Sequence, residues 1–161
     1  MLVYRLVKAR FAASALDGRG AKIYGGRWNS PGTSMLYASQ SIALVALELL
    51  VHLGRSEVLG GYRLFTLEIA DDALMRLDAA CFPDNWRADP APGGIVGIGD
   101  GWVAAGRSVA LRVPSTLIPR EHNVLLNPAH PDFRAIAGGA ADEPFGFDPR
   151  LAPPVTPGVV R

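Results

Sequence analysis

Apolar and polar positions alternate over residues 1–7, where Val3, Tyr4 and Arg5 follow one another, and a period of two predicts a strand. "SMLYAS" at 34–39 predicts a second, short strand, and "YRLFTLEIA" at 62–70 alternates cleanly enough for a half-buried third. "SVALRVPS" at 108–115 and "NVLLN" at 123–127 predict two more. One segment departs from this period. "SIALVALELLVHL" at 41–53 is built from Leu, Ala and Glu, has serines placed to cap its start, and predicts a helix. Apolar residues fall on nearly every face of it, which predicts burial on most sides. Residues 12–33, rich in Gly, Ala and Ser, predict a long loop, and 83–101, dominated by Pro, Gly and Asp, an irregular excursion. From about 138 onward Gly, Pro and Ala predict a tail that wraps the surface without regular structure.

Several strands, few helices, no internal repeat and no linker between two cores predict one mixed α+β domain over residues 1–161. That length is sufficient to bury a core. A hydrophobic content of 49% with 19% charged residues is a globular balance, not a disordered one. The net charge of +1 removes any bulk attraction to nucleic acid or anionic lipid, though not a local basic pocket. Cys81 is the single cysteine, which excludes an internal disulfide and a cysteine-based zinc site and suits a reducing cytoplasm. It is predicted to be a small core residue beside Phe82. The apolar start of "MLVYRLVKAR" is too short for a signal peptide, and the run from Ile42 to Leu53 is too short for a bilayer. The expectation is a soluble, cytoplasmic protein with no membrane partner.

"GGRWNSPG" at 25–32 surrounds Arg27 with turn formers and sets Trp28 beside it, with Tyr24 and Tyr37 close by. A guanidinium in a Gly-rich turn can simply be solvated. Alternatively it grips phosphate bidentately while an aromatic face stacks on a flat, cationic ring. The stretch is no phosphate loop of the G-x-x-x-x-G-K-[ST] kind, and "GGIVGIGDG" lacks the βαβ context of a dinucleotide fingerprint and is read as loop.

Glu48 lies in the middle of the apolar helix, where an ionised carboxylate is costly without a partner. Either it pairs locally with His52 at i+4, or it points into a pocket to meet positive charge in a ligand. Ser115 follows Pro114 at a strand end and is either a turn former or a hydroxyl facing a pocket. No G-x-S-x-G elbow surrounds it, so it is not read as an activated nucleophile. His52, His122 and His130 lack metal-ligand spacing and are expected at the surface or in structural roles; no metal is expected.

Taken together, "YGGRWNSPGTSMLYAS", "ALELLVHL" and "LRVPSTLIPREHNVLLNPAHPDF" resemble the RES domain, named for an arginine, a glutamate and a serine. The resemblance runs from "YRL" to "PFGFDPRL" and leaves 83–101 unaligned. By it the arginine falls on Arg27, the glutamate on Glu48 and the serine on Ser115, and Tyr37 matches the pocket tyrosine. Arg5, Trp28, Asn29 and Asn123 lie in matching segments and complete a substrate-binding set.

The resemblance implies a fold like that of ADP-ribosyltransferases and a toxin of a bacterial toxin–antitoxin pair that consumes NAD+ by hydrolysis or phosphorolysis. NAD+ is then substrate, not cofactor, with inorganic phosphate as a candidate co-substrate. The implied partner is a Xre-like helix-turn-helix antitoxin that blocks the pocket and represses the operon. Direct nucleic-acid binding is not expected, and a homo-oligomer is compatible with the sequence. Cleavage of the ribose–nicotinamide bond passes through an oxocarbenium-like state that a fixed carboxylate stabilises, the role assigned to Glu48. Arg27 would grip the diphosphate, Tyr37 position the nicotinamide end, and Ser115 bind substrate or orient Glu48. Arg5 as a second cation tilts the expectation towards phosphate as acceptor. The rival readings are transfer of ADP-ribose to a protein and an inactive interaction module.

Overall fold

The alternating segments assemble into one seven-stranded sheet in a computed structural model that describes residues 1–53, 59–77 and 81–151. In chain order the elements are β1 (Leu2–Lys8), α1 (Arg19–Tyr24), β2 (Leu36–Ser39), α2 (Ile42–His52), β3 (Tyr62–Glu68), β4 (Leu74–Arg76), α3 (Gly93–Ala105), β5 (Ala110–Pro114), β6 (His122–Leu126), α4 (Phe133–Gly138) and β7 (Ala141–Phe145). The strands lie in the order β4-β5-β6-β2-β1-β3-β7, and only β4 and β5 run parallel. The architecture is mixed α+β, as the pattern predicts. No helix among the described residues is long and apolar enough to cross a membrane.

Side chains two apart on a strand share a face, so each strand divides its residues between the two sides of the sheet. Val3, Leu36, Ala38, Phe65, Leu67, Val124 and Leu126 point to one side and form a first core, closed by Ala15 and by Phe133 of α4. The other side is covered in two places. Ile95 and Trp102 of α3 pack there on Leu111, Val113 and Leu125, while Val45 of α2 packs on Leu6, Tyr62 and Leu64. The sheet face between those two packed regions carries the polar residues of the candidate site.

Five expectations need correction. The loop predicted over 12–33 contains part of a 3-10 turn (Ala9–Ser14) and the short helix α1. The excursion predicted over 83–101 contains most of α3, because Ile95, Gly99 and Trp102 recur on one buried face and tertiary burial outweighs the poor helix propensity of glycine. The tail from 138 includes β7, which pairs with β3 from Tyr62↔Phe145 to Thr66↔Ala141. As an edge strand it needs no alternation and tolerates Pro144, and Arg63 ties it down through Asp142 at 2.6 Å. Residues 152–161 of that tail lie outside the described residues. Helix α2 is capped by Ser41, whose Oγ accepts from the Leu44 N–H, but it is not buried on most sides. Ile42, Leu47 and Val51 are 40%, 36% and 56% exposed. Cys81 is also exposed, not in the core, since the neighbouring Phe82 turns towards Trp28 and Trp86 without it.

Candidate active site

Strand register gathers the polar residues. In β2 and β6 the period of two that sends Leu36, Ala38, Val124 and Leu126 to the first core sends Tyr37, Ser39, Asn123 and Leu125 to the opposite face. Ser39 stands directly across from Asn123, and Val113 across from Asn123 on its other side, so Ser115 follows just beyond. Helix α2 packs over β1 and β2 and brings Glu48 to the same place.

Glu48 is half-buried, and its donors are not the local His52. Ser115 Oγ donates to Glu48 Oε1 at 2.7 Å, and Asn123 Nδ2 donates to the same oxygen at 2.7 Å. Ser115 has no further capacity. Its Oγ accepts from the Leu117 and Ile118 N–H groups, both at 3.1 Å, so its single proton goes to Glu48. Ser115 is fully buried, so its hydroxyl forms the turn and holds the Glu48 carboxylate rather than facing a pocket. Glu48 Oε2 takes no hydrogen bond from the described residues and is open to solvent. The result is a carboxylate fixed by one oxygen and presented by the other.

The Arg27 turn is tied through Tyr37 to β2, the strand that also carries Ser39. Gly25 and Gly32 adopt φ values of 72° and 103°, conformations that other residues rarely take. Asn29, buried, donates through Nδ2 to the carbonyls of Ala21, Ser30 and Thr33, and its Oδ1 accepts from the Tyr37 hydroxyl at 2.7 Å. The Trp28 N–H donates to the same hydroxyl at 3.0 Å. Burial, assisted by nearby Asp100, pushes the Tyr37 phenol up to about 12, against the opposing Trp28 hydrogen bond and Arg27 charge, so it stays protonated. Trp28 itself is only 3% exposed and packs in the second core in a T-shaped contact with Phe82. Its indole is thus wall, not a free stacking face.

Arg27 is half-exposed, and its Nη1 donates to the carbonyls of Trp86 at 3.1 Å and Ala88 at 3.0 Å. Nε and Nη2 make no hydrogen bond to the described residues, which leaves the edge of the guanidinium that binds anions bidentately. Arg87, between those two carbonyls, donates to Thr116 O at 3.0 Å and joins this segment to the turn after Ser115. Arg5 is placed elsewhere. With Val3 and Val7 it belongs to the first-core side of β1, and its Nε and Nη1 donate to the carbonyls of Ala15 and Tyr37. Desolvation by burial lowers its pKa to about 10, partly offset by the charge of Asp17.

Sequence reasoning missed Asp100 and Ser39. Asp100 of α3 accepts from the Ser30 N–H at 3.0 Å and from its hydroxyl at 2.5 Å, so it staples the Arg27 turn to the helix. Burial raises the Asp100 pKa, but hydrogen bonds from Ser30 and Thr33 outweigh it and leave a net lowering. The signal lay in "GGIVGIGDG", where one glycine, Gly99, lies beside Asp100 and allows a close approach of the helix to the turn. A Cβ on Gly99 would collide with the Trp28 carbonyl. Gly99→Ala should therefore cost about 1–3 kcal/mol despite the better helix propensity of alanine, a fall in Tm of roughly 3–10 °C in a thermal melt. His122, at the start of β6, has its pKa lowered by burial and by Arg112. Two open surface depressions, of about 710 and 590 Å3, include none of Arg27, Tyr37, Glu48 and Ser115 in their lining: one lies beside His130 and Arg107, the other beside Arg19, Lys22 and Gly32.

Comparison with known proteins bears on the family and the fold. The family model of the RES domain matches residues 2–148. A Toxin Res from Yersinia enterocolitica is 44% identical over 151 residues, covering 94% of this chain and 99% of its own. A protein from a Sphingobium species named Prs ADP-ribosylating toxin is 38% identical and covers 88% of this chain and 89% of its own. Among solved structures, a chain in the crystal structure of the M. tuberculosis MbcT–MbcA toxin–antitoxin complex superposes with a TM-score of 0.68 at 19% identity, over 90% of this chain and 84% of that one, and so shares the fold.

Proposed function

Because this chain belongs to the RES domain family, we propose that it is the toxin of a toxin–antitoxin pair and depletes NAD+ by cleaving the ribose–nicotinamide bond. The observation that carries this reading is the environment of Glu48. One carboxylate oxygen is fixed by Ser115 and Asn123 and the other is open. As the C1′–N bond breaks, its electron pair leaves with neutral nicotinamide, and positive charge grows on the ribose C1′ and ring oxygen. A carboxylate already oriented by two donors stabilises that charge without reorganising at the moment of reaction.

Arg27 holds the diphosphate through its Nε and Nη2 edge, while Nη1 stays anchored on Trp86 and Ala88. Tyr37, kept as a neutral phenol, forms the wall between the Arg27 turn and the strand that carries Ser39. Arg5 acts by fixing the backbone at Tyr37, not by touching NAD+. That removes the second cation that favoured phosphate, so the acceptor proposed is water: its oxygen bonds C1′ and its proton is released to solvent. The antitoxin partner is a helix-turn-helix protein of the Xre type, and the exposed Leu47 and Val51, one turn apart on the helix of Glu48, offer it an apolar landing surface beside the site. The likeness in fold to ADP-ribosyltransferases belongs to the same proposal.

The name of the Sphingobium relative favours a second reading, transfer of ADP-ribose to a protein. Phosphorus NMR of purified protein with NAD+, run with and without inorganic phosphate, separates the outcomes. Free ADP-ribose in both samples is the expected result. A phosphorylated ADP-ribose would establish phosphorolysis. An intact NAD+ pool in these samples, with ADP-ribosylated protein found by mass spectrometry after lysate is added, would establish transfer.

A further inference from the structure

Ser39 is 2% exposed and buried away from solvent, yet a single residue, Asn123, separates it from the carboxylate. The β2–β6 register sets it directly opposite Asn123. Its Oγ donates to Asn123 Oδ1 at 2.6 Å, and Asn123 Nδ2 donates to Glu48 Oε1 at 2.7 Å. The direction of this chain follows from hydrogen counting. An ionised carboxylate only accepts, so the amide must present Nδ2 to Glu48 and Oδ1 to Ser39. A turn of the amide by 180° would set Oδ1 against the carboxylate, acceptor to acceptor.

We propose that Ser39 is a positioning residue for Glu48, acting through the side-chain amide of Asn123. The inference rests on the role given to Glu48 above. The hydroxyl satisfies an amide oxygen that would otherwise be unpaired, and so holds the plane of the amide. Without it Asn123 swings to find another donor for Oδ1, Nδ2 leaves Glu48, and Oε1 retains only the bond from Ser115. The carboxylate then samples orientations in which neither oxygen faces the ribose.

The test is a double-mutant cycle read on the whole chain. Ser39→Ala should lower kcat for NAD+ cleavage about 5- to 20-fold with KM changed less than about 2-fold, and should add less than about 2-fold in an Asn123→Ala background. Equal losses in both backgrounds, or no loss in the wild-type background, would overturn the proposal. A second measurement needs no NAD+. In 15N–1H spectra of the protein alone, the two Asn123 side-chain amide protons should be well separated and collapse towards free-amide positions in Ser39→Ala. An unchanged amide pair overturns the proposal even if the wild type proves inert towards NAD+, an outcome that would count against the reading of Glu48 alone. Should Ser39→Ala fail to fold, Ser39→Cys, with a weaker donor of similar size, carries the same comparison.

Discussion

Glu48→Gln should keep the fold and lose the reaction, lowering the rate of NAD+ loss by about 10²–10³. The substitution suits this site because both hydrogen bonds to Glu48 fall on one oxygen. Glutamine retains a carbonyl oxygen that accepts from Ser115 and Asn123 and turns its amide nitrogen outwards. Only the charge at the open position is lost, so Tm should change little. Ser115→Ala is a less selective probe, since it also strips the acceptor from the Leu117 and Ile118 N–H groups and should lower stability as well. Initial rates of NAD+ loss and thermal melts of the two variants provide the check. A Glu48→Gln protein that consumes NAD+ near the wild-type rate would remove the carboxylate from the mechanism.

Arg27→Ala should weaken NAD+ binding by roughly 10- to 100-fold, the equivalent of about 1.5–3 kcal/mol for hydrogen bonds to a charged group. Arg27→Lys should recover little of this. The guanidinium does two things at once: Nη1 anchors on the carbonyls of Trp86 and Ala88, and the Nε and Nη2 edge stays available for an anion. A lysine ammonium is a single point with three donors and cannot divide itself between the two tasks. Titration calorimetry of each variant with NAD+, on a Glu48→Gln background that prevents turnover, measures the effect directly. Equal affinity with and without the guanidinium would reduce Arg27 to a support for the turn.

Hydrophobic period alone located the strands around Val3, Tyr37, Leu64, Val113 and Val124 and the helix of Glu48, because alternation and helical spacing are local properties that burial selects. The motif pattern around Arg27, Tyr37, Glu48 and Ser115 was equally legible, and with it the family. Partners were not. His52 at i+4 was the local candidate to meet Glu48, whereas its donors come from 67 and 75 positions away, brought in by a strand register that no local rule specifies. Arg5 and Arg27 are both arginines in matching segments, yet strand parity places one among first-core neighbours with its donors on carbonyls, and the turn leaves the other an open edge. α3 and β7 were hidden for related reasons. A glycine-rich helix gains its stability from the close approach at Gly99, and an exposed edge strand from main-chain pairing with β3, and both appear only when the partner is in place. The sequence by itself determined which elements form and which residue types are at hand for the chemistry. Which of those residues meet, and which donors remain free for a ligand, was decided by the tertiary structure, since hydrogen bonds between distant residues depend on sheet order and register.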